Sequence, residues 1–233
     1  MLLKTKKLMK AFGGLKAINK VDFELPKNEI RGIIGPNGSG KSTFFNLVSG
    51  VYDPDPGSYI EFDGHDITEE PPHKVGELGL ARTFQLLRLY QDMSVINNVM
   101  SGYHTLVPYR FIDAVVGRKK IWDQEKVIKE EMMDLLSFVG LADYAEMNAS
   151  ELSGGQRRLL VLARAIAGKP KLLMLDEPAA GLSPVNVDNL MKILMRLKEK
   201  YGLTLIIIEH ILKVVMDTCS KVTVLDHGEK IAE

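Results

Sequence analysis

The chain has 233 residues, 45% hydrophobic and 26% charged, which is typical of a globular protein with one substantial core. Its 30 basic and 30 acidic side chains cancel, so bulk charge gives no indication of a nucleic-acid partner. A single cysteine, Cys219, excludes an internal disulfide, and the apolar stretches at 172–175 and 203–208 are far shorter than the ~20 residues of a membrane span. We therefore expect a soluble chain that acts at a membrane only through a partner.

The first predicted elements are a strand, a glycine-rich loop and a helix. Residues 30–34 form a short apolar run, GPNGSG follows, and KSTFFNLVSG is typical of a helix closed by Gly50. Residues 58–64, SYIEFDG, alternate in polarity and end in an Asp-Gly turn, which predicts an antiparallel strand.

The middle of the chain, from about Leu86 to Arg164, predicts a mostly helical subdomain inserted into an α/β core. In residues 123–141 one apolar stripe follows the helical period, formed by Val127, Met132, Leu135, Leu136 and Val139. Further on, Ser153 in LSGGQRR is placed to cap the helix RRLLVLARAIAG. A helix N-terminus with unpaired N–H groups is a ready anion site, so this loop is a candidate phosphate contact.

The last third alternates between strands and helices. Residues 172–175 and 205–208 are continuous apolar runs, typical of parallel strands covered on both faces. Between them Ser183 is the predicted cap of a helix with Pro184 in its first turn and Gly202 at its end. The core face of this helix is predicted from spacing, and consists of Leu190, Leu194, Leu197 and Tyr201. Residues 222–233 predict a closing hairpin that turns at residues 226–228.

The clearest chemical signal is the loop GPNGSGKST, which carries the full pattern Gly-x-x-x-x-Gly-Lys-Ser of a phosphate-binding loop. Its glycines allow backbone N–H groups to wrap around phosphates, Lys41 would reach the β- and γ-phosphates, and the Ser42 hydroxyl would ligate Mg²⁺. The alternative is a chance glycine-rich turn, but the strand before the loop and the helix after it argue against that. The predicted phosphate-binding residues are Gly35, Pro36, Asn37, Gly38, Ser39, Gly40, Lys41, Ser42 and Thr43.

A pair of carboxylates, Asp176 and Glu177, ends the apolar strand KLLML. Ligands of open parallel sheets bind at the carboxyl ends of the strands. Asp176 would hold Mg²⁺ largely through water, and Glu177 is placed to orient or deprotonate a water that attacks the γ-phosphate. By itself such a pair is often a solvated turn; after a phosphate-binding loop it indicates nucleotide hydrolysis.

Three further residues are weaker candidates. Gln85 is either a surface amide or a ligand, and His210, which follows LIIIE, is either a satisfied polar residue or a contact of the nucleotide phosphate. Phe12, in KAFGG, is either core or an aromatic platform for a base, since the two glycines after it suit close approach.

Together, in chain order, GPNGSGKST, Gln85, LSGGQ, LLMLDEP and His210 resemble the ABC ATPase family along essentially the whole chain. The resemblance implies a P-loop NTPase core with a mostly parallel, RecA-like sheet at about 1–86 and 165–233. It also implies an antiparallel β subdomain and a helical subdomain at about 87–164. In this family two ATPase units pack head to tail, so the two phosphate-facing loops of one chain serve two ATP molecules.

The family roles carry over to matching positions. They place Phe12 on adenine, Lys41 and Thr43 on phosphates, Ser42, Gln85 and Asp176 on Mg²⁺, Glu177 on the attacking water and His210 on the γ-phosphate. ATP held by a partner chain would be contacted by Ser153, Gly154, Gly155 and Gln156. Two departures are visible: Ser183 stands where the family often has Asp, and Ile211 follows His210 where Asp is common.

Around Gln85 the run LARTFQLLRLYQDMSVINNV resembles the ATP-binding subunits of branched-chain amino-acid importers, as do AAGLSP after Glu177 and the segment from about His104 to Trp122. The aromatic residues of that segment, Tyr109, Phe111 and Trp122, are alternatively plain subdomain core. Close relatives of this branch serve urea or other small polar solutes, which remains an alternative substrate class. The chain ends at Glu233, before the end of many members of the family.

The resemblance also implies partners. These are two transmembrane permease subunits, a second ATPase subunit, identical or related, and indirectly a solute-binding protein, at the cytoplasmic face of the membrane. A soluble ABC protein of DNA repair or translation is the less favoured alternative, because such proteins usually carry a long coiled coil or two ATPase units. A nucleotide sensor that does not hydrolyse ATP is disfavoured by Glu177 and His210.

Overall fold

The computed structural model describes residues 1–83, 89–103 and 118–233, with residues 118–125 described by their helical backbone alone. The chain forms two compact units, Met1–Gln85 with Lys171–Glu233, and Leu86–Pro170. Gln85, Tyr109 and Phe111, and the side chain of Trp122, lie outside the described part. None of the helices in the described ranges combines the length and the apolar character that crossing a membrane requires.

The strands of the first unit are numbered in chain order: Leu3–Phe12 (β1), Leu15–Leu25 (β2), Ile30–Ile34 (β3), Tyr59–Phe62 (β4), His65–Asp66 (β5), Leu80–Arg82 (β6), Leu172–Asp176 (β7), Thr204–Ile208 (β8), Lys221–Asp226 (β9) and Glu229–Ala232 (β10). The α-helices are Lys41–Val48 (α1), Pro72–Glu77 (α2), Val95–Tyr103 (α3), Arg118–Val139 (α4), Gly154–Ala167 (α5), Pro184–Tyr201 (α6) and Leu212–Thr218 (α7). Two short 3₁₀ helices are Ala142–Tyr144 and Ala149–Glu151.

The larger sheet has six strands in the order β10-β9-β3-β8-β7-β6. The pairs from β9 to β6 are parallel, and β10 joins the edge as an antiparallel hairpin partner of β9. The predicted runs 172–175 and 205–208 are neighbouring strands whose residues are at most 2% exposed. The prediction of buried parallel strands is confirmed. Their parallel pairing brings the carboxyl ends of β7 and β8 together.

The smaller sheet is antiparallel, with the strand order β2-β1-β4-β5. The predicted strand at residues 58–64 is β4, and both Asp63 (φ 47°) and Gly64 (φ 84°) are left-handed, as a tight hairpin turn requires. His227 (φ 45°) and Gly228 (φ 79°) close the β9–β10 hairpin in the same way. The two predicted turns are therefore confirmed.

Helices α1 and α6 end where predicted, and α6 begins after Ser183 with Pro184 in its first turn, although the Ser183 side chain makes no capping hydrogen bond. Gly50 (φ 69°) follows the end of α1, and Gly202 (φ 62°) ends α6. On α6 Leu190, Leu194 and Leu197 are buried, but Tyr201 is 43% exposed. Its predicted place on the core face is wrong, because Tyr201 is the last residue of the helix, where the core no longer covers that face.

The second unit is helical in its described parts. Along α4 Met132, Leu135, Leu136 and Val139 are buried, whereas Val127 is 63% exposed, so its inclusion in the stripe is wrong. The buried residues of the stripe lie in the C-terminal half of α4, a helix that packs against α3 and α5, and Val127 lies N-terminal to all of them.

Candidate functional site

The loop between β3 and α1 requires glycine at two positions. A Cβ at Gly35 (φ 154°) would lie 2.0 Å from the carbonyl oxygen of Leu225, and one at Gly40 (φ 102°) would lie 2.4 Å from that of Ala17. Both contacts are with backbone of neighbouring strands, which cannot move aside cheaply. The loop therefore runs tightly against the sheet before it enters α1.

Lys41, the first residue of α1, is only 6% exposed. Its Nζ donates hydrogen bonds to the carbonyl oxygens of Gly35 (2.8 Å) and Pro36 (2.9 Å). Burial lowers the pKa of Lys41, while the negative charges of Glu177 and Asp176 act to raise it. The ammonium of Lys41 therefore interacts electrostatically with both carboxylates.

The N-terminus of α1 is open to an anion. Its N-cap, Gly40, has no side chain and supplies no capping oxygen to the first-turn N–H groups. The Ser42 hydroxyl is on an exposed residue of that turn, and Thr43 is half-buried. A buried ammonium beside an uncapped helix N-terminus suits a phosphate chain.

Asp176 ends β7 with its carboxylate held by an arginine that the sequence analysis missed. Arg82, the last residue of β6, donates from Nη2 to Asp176 Oδ2 at 3.2 Å. Its Nη1 donates to Asn46 Oδ1 (2.6 Å) and Ser49 Oγ (3.2 Å), which belong to α1 and its C-cap. Burial raises the pKa of Asp176, opposed mainly by Arg82. Arg82 thereby ties the carboxylate to the helix that follows the phosphate-binding loop.

Glu177 and His210 are brought together by the pairing of β7 with β8. Glu177 takes a left-handed conformation (φ 49°) directly after β7, and its N–H donates to the carbonyl oxygen of Ile208 at 3.0 Å. The Nε2 of His210 lies 2.8 Å from Glu177 Oε1. Both side chains keep solvent access, with 42% of His210 and 22% of Glu177 exposed. The pair can therefore reach a substrate at the sheet edge.

A second residue missed by the sequence analysis is Glu209, which is 2% exposed between β8 and His210. Its Oε1 accepts from the N–H of Ala179 (2.7 Å) and its Oε2 from the N–H of His210 (3.2 Å). The available signal was a charged residue placed directly after four apolar strand residues, which requires partners if it is buried.

Phe12 lies at the end of β1, 46% exposed, and is not a core residue. The ring of Tyr52 meets it edge-on, with centroids 5.5 Å apart and planes at 74°. The Lys10 ammonium lies 5.7 Å from the Phe12 centroid. A supported aromatic ring with this much exposure has the character of a stacking platform.

In the second unit, the loop before α5 caps its own helix. Ser153 is the N-cap: its Oγ accepts from Gln156 N (3.4 Å), and its own N–H donates to Gln156 Oε1 (2.9 Å). The predicted cap is confirmed and takes the form of a reciprocal capping box. Ser153 and Gly154 are exposed, and Gly155 and Gln156 are half-buried.

The predicted magnesium ligands Ser42 and Asp176 lie on the described elements α1 and β7, whereas Gln85 lies outside the described residues. The described ranges contain no cluster of three or more His, Cys, Asp or Glu residues arranged for a metal. One hydroxyl and one half-buried carboxylate fit Mg²⁺, because this ion keeps several waters and uses few protein ligands beside substrate phosphates. They do not fit a metal that needs an all-protein cage.

Comparison with known proteins agrees with this geometry. Residues 18–180 match the family model described as ABC transporter. The chain is 40% identical over 236 residues to the probable branched-chain amino acid transport ATP-binding protein LivG of Archaeoglobus fulgidus, covering 100% of this chain and 88% of that protein. It is 34% identical over 232 residues to the high-affinity branched-chain amino acid transport ATP-binding protein BraF of Pseudomonas aeruginosa, covering 100% and 91%.

A solved structure supports the same fold. The crystal structure of the ADP conformation of an ATP-binding cassette of an ABC transporter superposes with a TM-score of 0.85 at 33% identity. The match covers 99% of this chain and 89% of that one. The predicted α/β core with its antiparallel sheet and helical part is therefore confirmed.

Proposed function

This chain belongs to the ABC transporter family, and we propose that it is the ATP-hydrolysing subunit of an importer for branched-chain amino acids. The proposed hydrolytic activity rests on one observation. The strands β7 and β8 place Glu177 and His210 side by side at one sheet edge, where the negative charge of Glu177 also acts on Lys41. The substrate class rests on the names of the curated relatives at 34% to 40% identity.

In the proposed reaction, different residues of the site bind the nucleotide, hold the metal and transfer the proton. Lys41 and the N–H groups at the start of α1 bind the phosphates, and Phe12 stacks on the adenine. Ser42, Asp176 and Gln85 hold Mg²⁺, which when bound neutralises charge on the β- and γ-phosphates. Glu177 accepts a proton from water as that water oxygen bonds to the γ-phosphorus, and the bond from this phosphorus to the bridging oxygen breaks to release ADP. His210 donates from Nε2, to Glu177 before binding and to the γ-phosphate afterwards.

The loop before α5 provides the proposed contact with a second ATPase chain. Ser153, Gly154, Gly155 and Gln156 contact the γ-phosphate of ATP held by a second ATPase chain, so that ATP closes the dimer and hydrolysis opens it. The second unit serves as the helical subdomain of the cassette. Two permease subunits receive the movement at the cytoplasmic face of the membrane, and a solute-binding protein delivers the solute to them.

Replacement of Glu177 by Gln tests the hydrolytic function. The amide cannot accept the proton but leaves the phosphate loop intact, so we expect hydrolysis to fall by at least about 100-fold. ATP affinity should stay within roughly threefold, because the Lys41 loop is untouched. The measurements are phosphate release and ATP titration, with Glu199→Gln, an exposed carboxylate on α6, as the matched control. Parental turnover in Glu177→Gln would remove Glu177 from this role.

The transport function needs its own experiment. The tagged chain is purified from its native membranes with its bound subunits and reconstituted into vesicles, and uptake of radiolabelled leucine is measured with and without ATP. ATP-dependent uptake of leucine that urea does not compete with supports the proposed substrate class. Uptake of urea instead, or recovery of the chain with soluble partners alone, would overturn it.

A further inference from the structure

Glu209 is a buried carboxylate without a role in the chemistry derived above. It follows β8 directly and is 2% exposed, so it is shielded from solvent and from a ligand at the sheet edge. Burial of a carboxylate is unfavourable unless its oxygens accept hydrogen bonds. Each oxygen of Glu209 accepts a backbone N–H, from Ala179 at 2.7 Å and from His210 at 3.2 Å.

These two hydrogen bonds join the two halves of the catalytic pair through the backbone. Ala179 is two residues after Glu177, and the other donor is the backbone of His210 itself. The side chains of Glu177 and His210 complete the ring through their 2.8 Å contact. A shift of Glu209 would therefore move the His210 backbone and the segment after Glu177 relative to each other.

The segment after Glu177 leads to the start of α6. The N–H of Ala180 donates to the carbonyl oxygen of Glu177 (3.2 Å), and that of Leu182 to the carbonyl oxygen of Ala179 (3.1 Å). Two consecutive turns thus carry the chain from Glu177 to Ser183, the N-cap of α6. The Ala179 amide, held by Glu209, lies at the centre of these turns.

We propose that Glu209 is a positioning residue for hydrolysis, which fixes His210 against the segment 177–183 by accepting the N–H groups of Ala179 and His210. This proposal rests on the proposed ATPase function, in which Glu177 and His210 act on the γ-phosphate. Because Glu209 is 2% exposed, it acts through these backbone groups and not directly on the substrate. It sets the distance and orientation of His210 to Glu177, and it passes any displacement of His210 to the segment before Ser183.

Replacement of Glu209 by Gln changes the donor and acceptor pattern at constant size. The amide oxygen can still accept from Ala179, but the NH₂ group faces the N–H of His210, so the link to His210 is lost. We expect kcat to fall on the order of tenfold, with KM and ATP affinity within about twofold, because positioning affects the transition state more than ground-state binding. The melting temperature is measured in parallel, and Glu199→Gln is the control.

A double-mutant cycle separates positioning from general structural support. If Glu209 acts through His210, then Glu209→Gln should lower kcat less than about twofold further in a His210→Ala background. Single-turnover measurements with excess protein keep the slow variants measurable. Effects of Glu209→Gln that are as large in His210→Ala as in the parent would overturn the proposal.

The remaining outcomes are also decisive. If the parent chain itself releases no phosphate from ATP, the proposed function fails. If Glu177→Gln is inactive and Glu209→Gln matches Glu199→Gln, the function stands and the positioning role is refuted. If Glu209→Gln does not fold, Glu209→Asp takes its place: it keeps the charge but is too short to reach both amides, and the same kcat, KM and double-mutant criteria apply.

Discussion

Two glycine-bearing loops lead into the first turns of helices α1 and α5 and are built by different means. They comprise residues 35–43 in the first unit and residues 152–156 in the second. The first is shaped by distant backbone, because Cβ atoms at Gly35 and Gly40 would collide with carbonyl oxygens of other strands. The second is shaped locally, by the reciprocal hydrogen bonds of Ser153 and Gln156. Apart from its chain neighbours and the backbone of its own helix, no heavy atom of the described residues lies within 4 Å of a Cβ placed at Gly154.

The difference shows where the need for glycine comes from. In the first loop the chain's own fold demands it, and the loop in turn leaves the N-terminus of α1 uncapped by its N-cap residue. In the second loop the described part of the chain tolerates a side chain at Gly154, and the helix already has its cap. A requirement for glycine at that position would therefore come from a surface outside the described part of this chain, as in the proposed ATP-closed dimer.

The largest difference between the two loops is expected when one methyl group is added to each. Gly35→Ala should lower the melting temperature by several degrees and abolish ATP binding, since the added Cβ meets Leu225 backbone in a left-handed conformation. Gly154→Ala is the matched control and should leave both the melting temperature and the ATP affinity of the single chain unchanged. Equal losses of stability in the two variants would contradict the division into a packed loop and a self-capped loop.

Removal of the Lys41 ammonium should lower the affinity of the first loop for ATP. Lys41→Ala should weaken ATP binding by on the order of 100-fold, because a buried charge partner of the phosphates is lost. The measurement is calorimetric titration of the single chain, with Lys192→Ala, an exposed lysine of α6, as the control. ATP affinity equal to that of the parent would remove Lys41 from the phosphate site.

A bulky charge in the second loop should have the smallest effect on the single chain. Ser153→Arg is expected to keep ATP affinity within about twofold and to lose roughly 1 kcal/mol of helix-capping stability. Dimer formation with ATP, followed by light scattering in the Glu177→Gln background, should disappear, because the side chain would fill the space of the partner's γ-phosphate. A stable ATP-dependent dimer of this variant would argue against the shared site.

Elements with local signals were predictable from the sequence. The Asp63–Gly64 and His227–Gly228 turns, the Ser153 cap and the Gly202 helix end each depend on a few adjacent residues. The ends of β7 and β8 were predictable because continuous apolar runs require a parallel sheet buried on both faces, whose carboxyl ends meet.

Features that depend on distant partners were missed. Arg82 and Asp176 are 94 residues apart in sequence, and Glu209 and Ala179 are 30 apart, so no local pattern marks their hydrogen bonds.

The long β1–β2 hairpin was also missed. Its register shifts between Thr5 and Ala11 interrupt the alternation by which a strand is recognised.

The contacts of Lys41 have a consequence for the entropy of nucleotide binding. Holding a lysine side chain in one rotamer costs roughly 1.5–2 kcal/mol of conformational entropy. In this chain the ammonium is already immobilised by the carbonyl oxygens of Gly35 and Pro36, so that cost is met during folding. A triphosphate then exchanges neutral acceptors for charged ones at a cation of fixed position, and affinity rises without any side chain being ordered at the moment of binding.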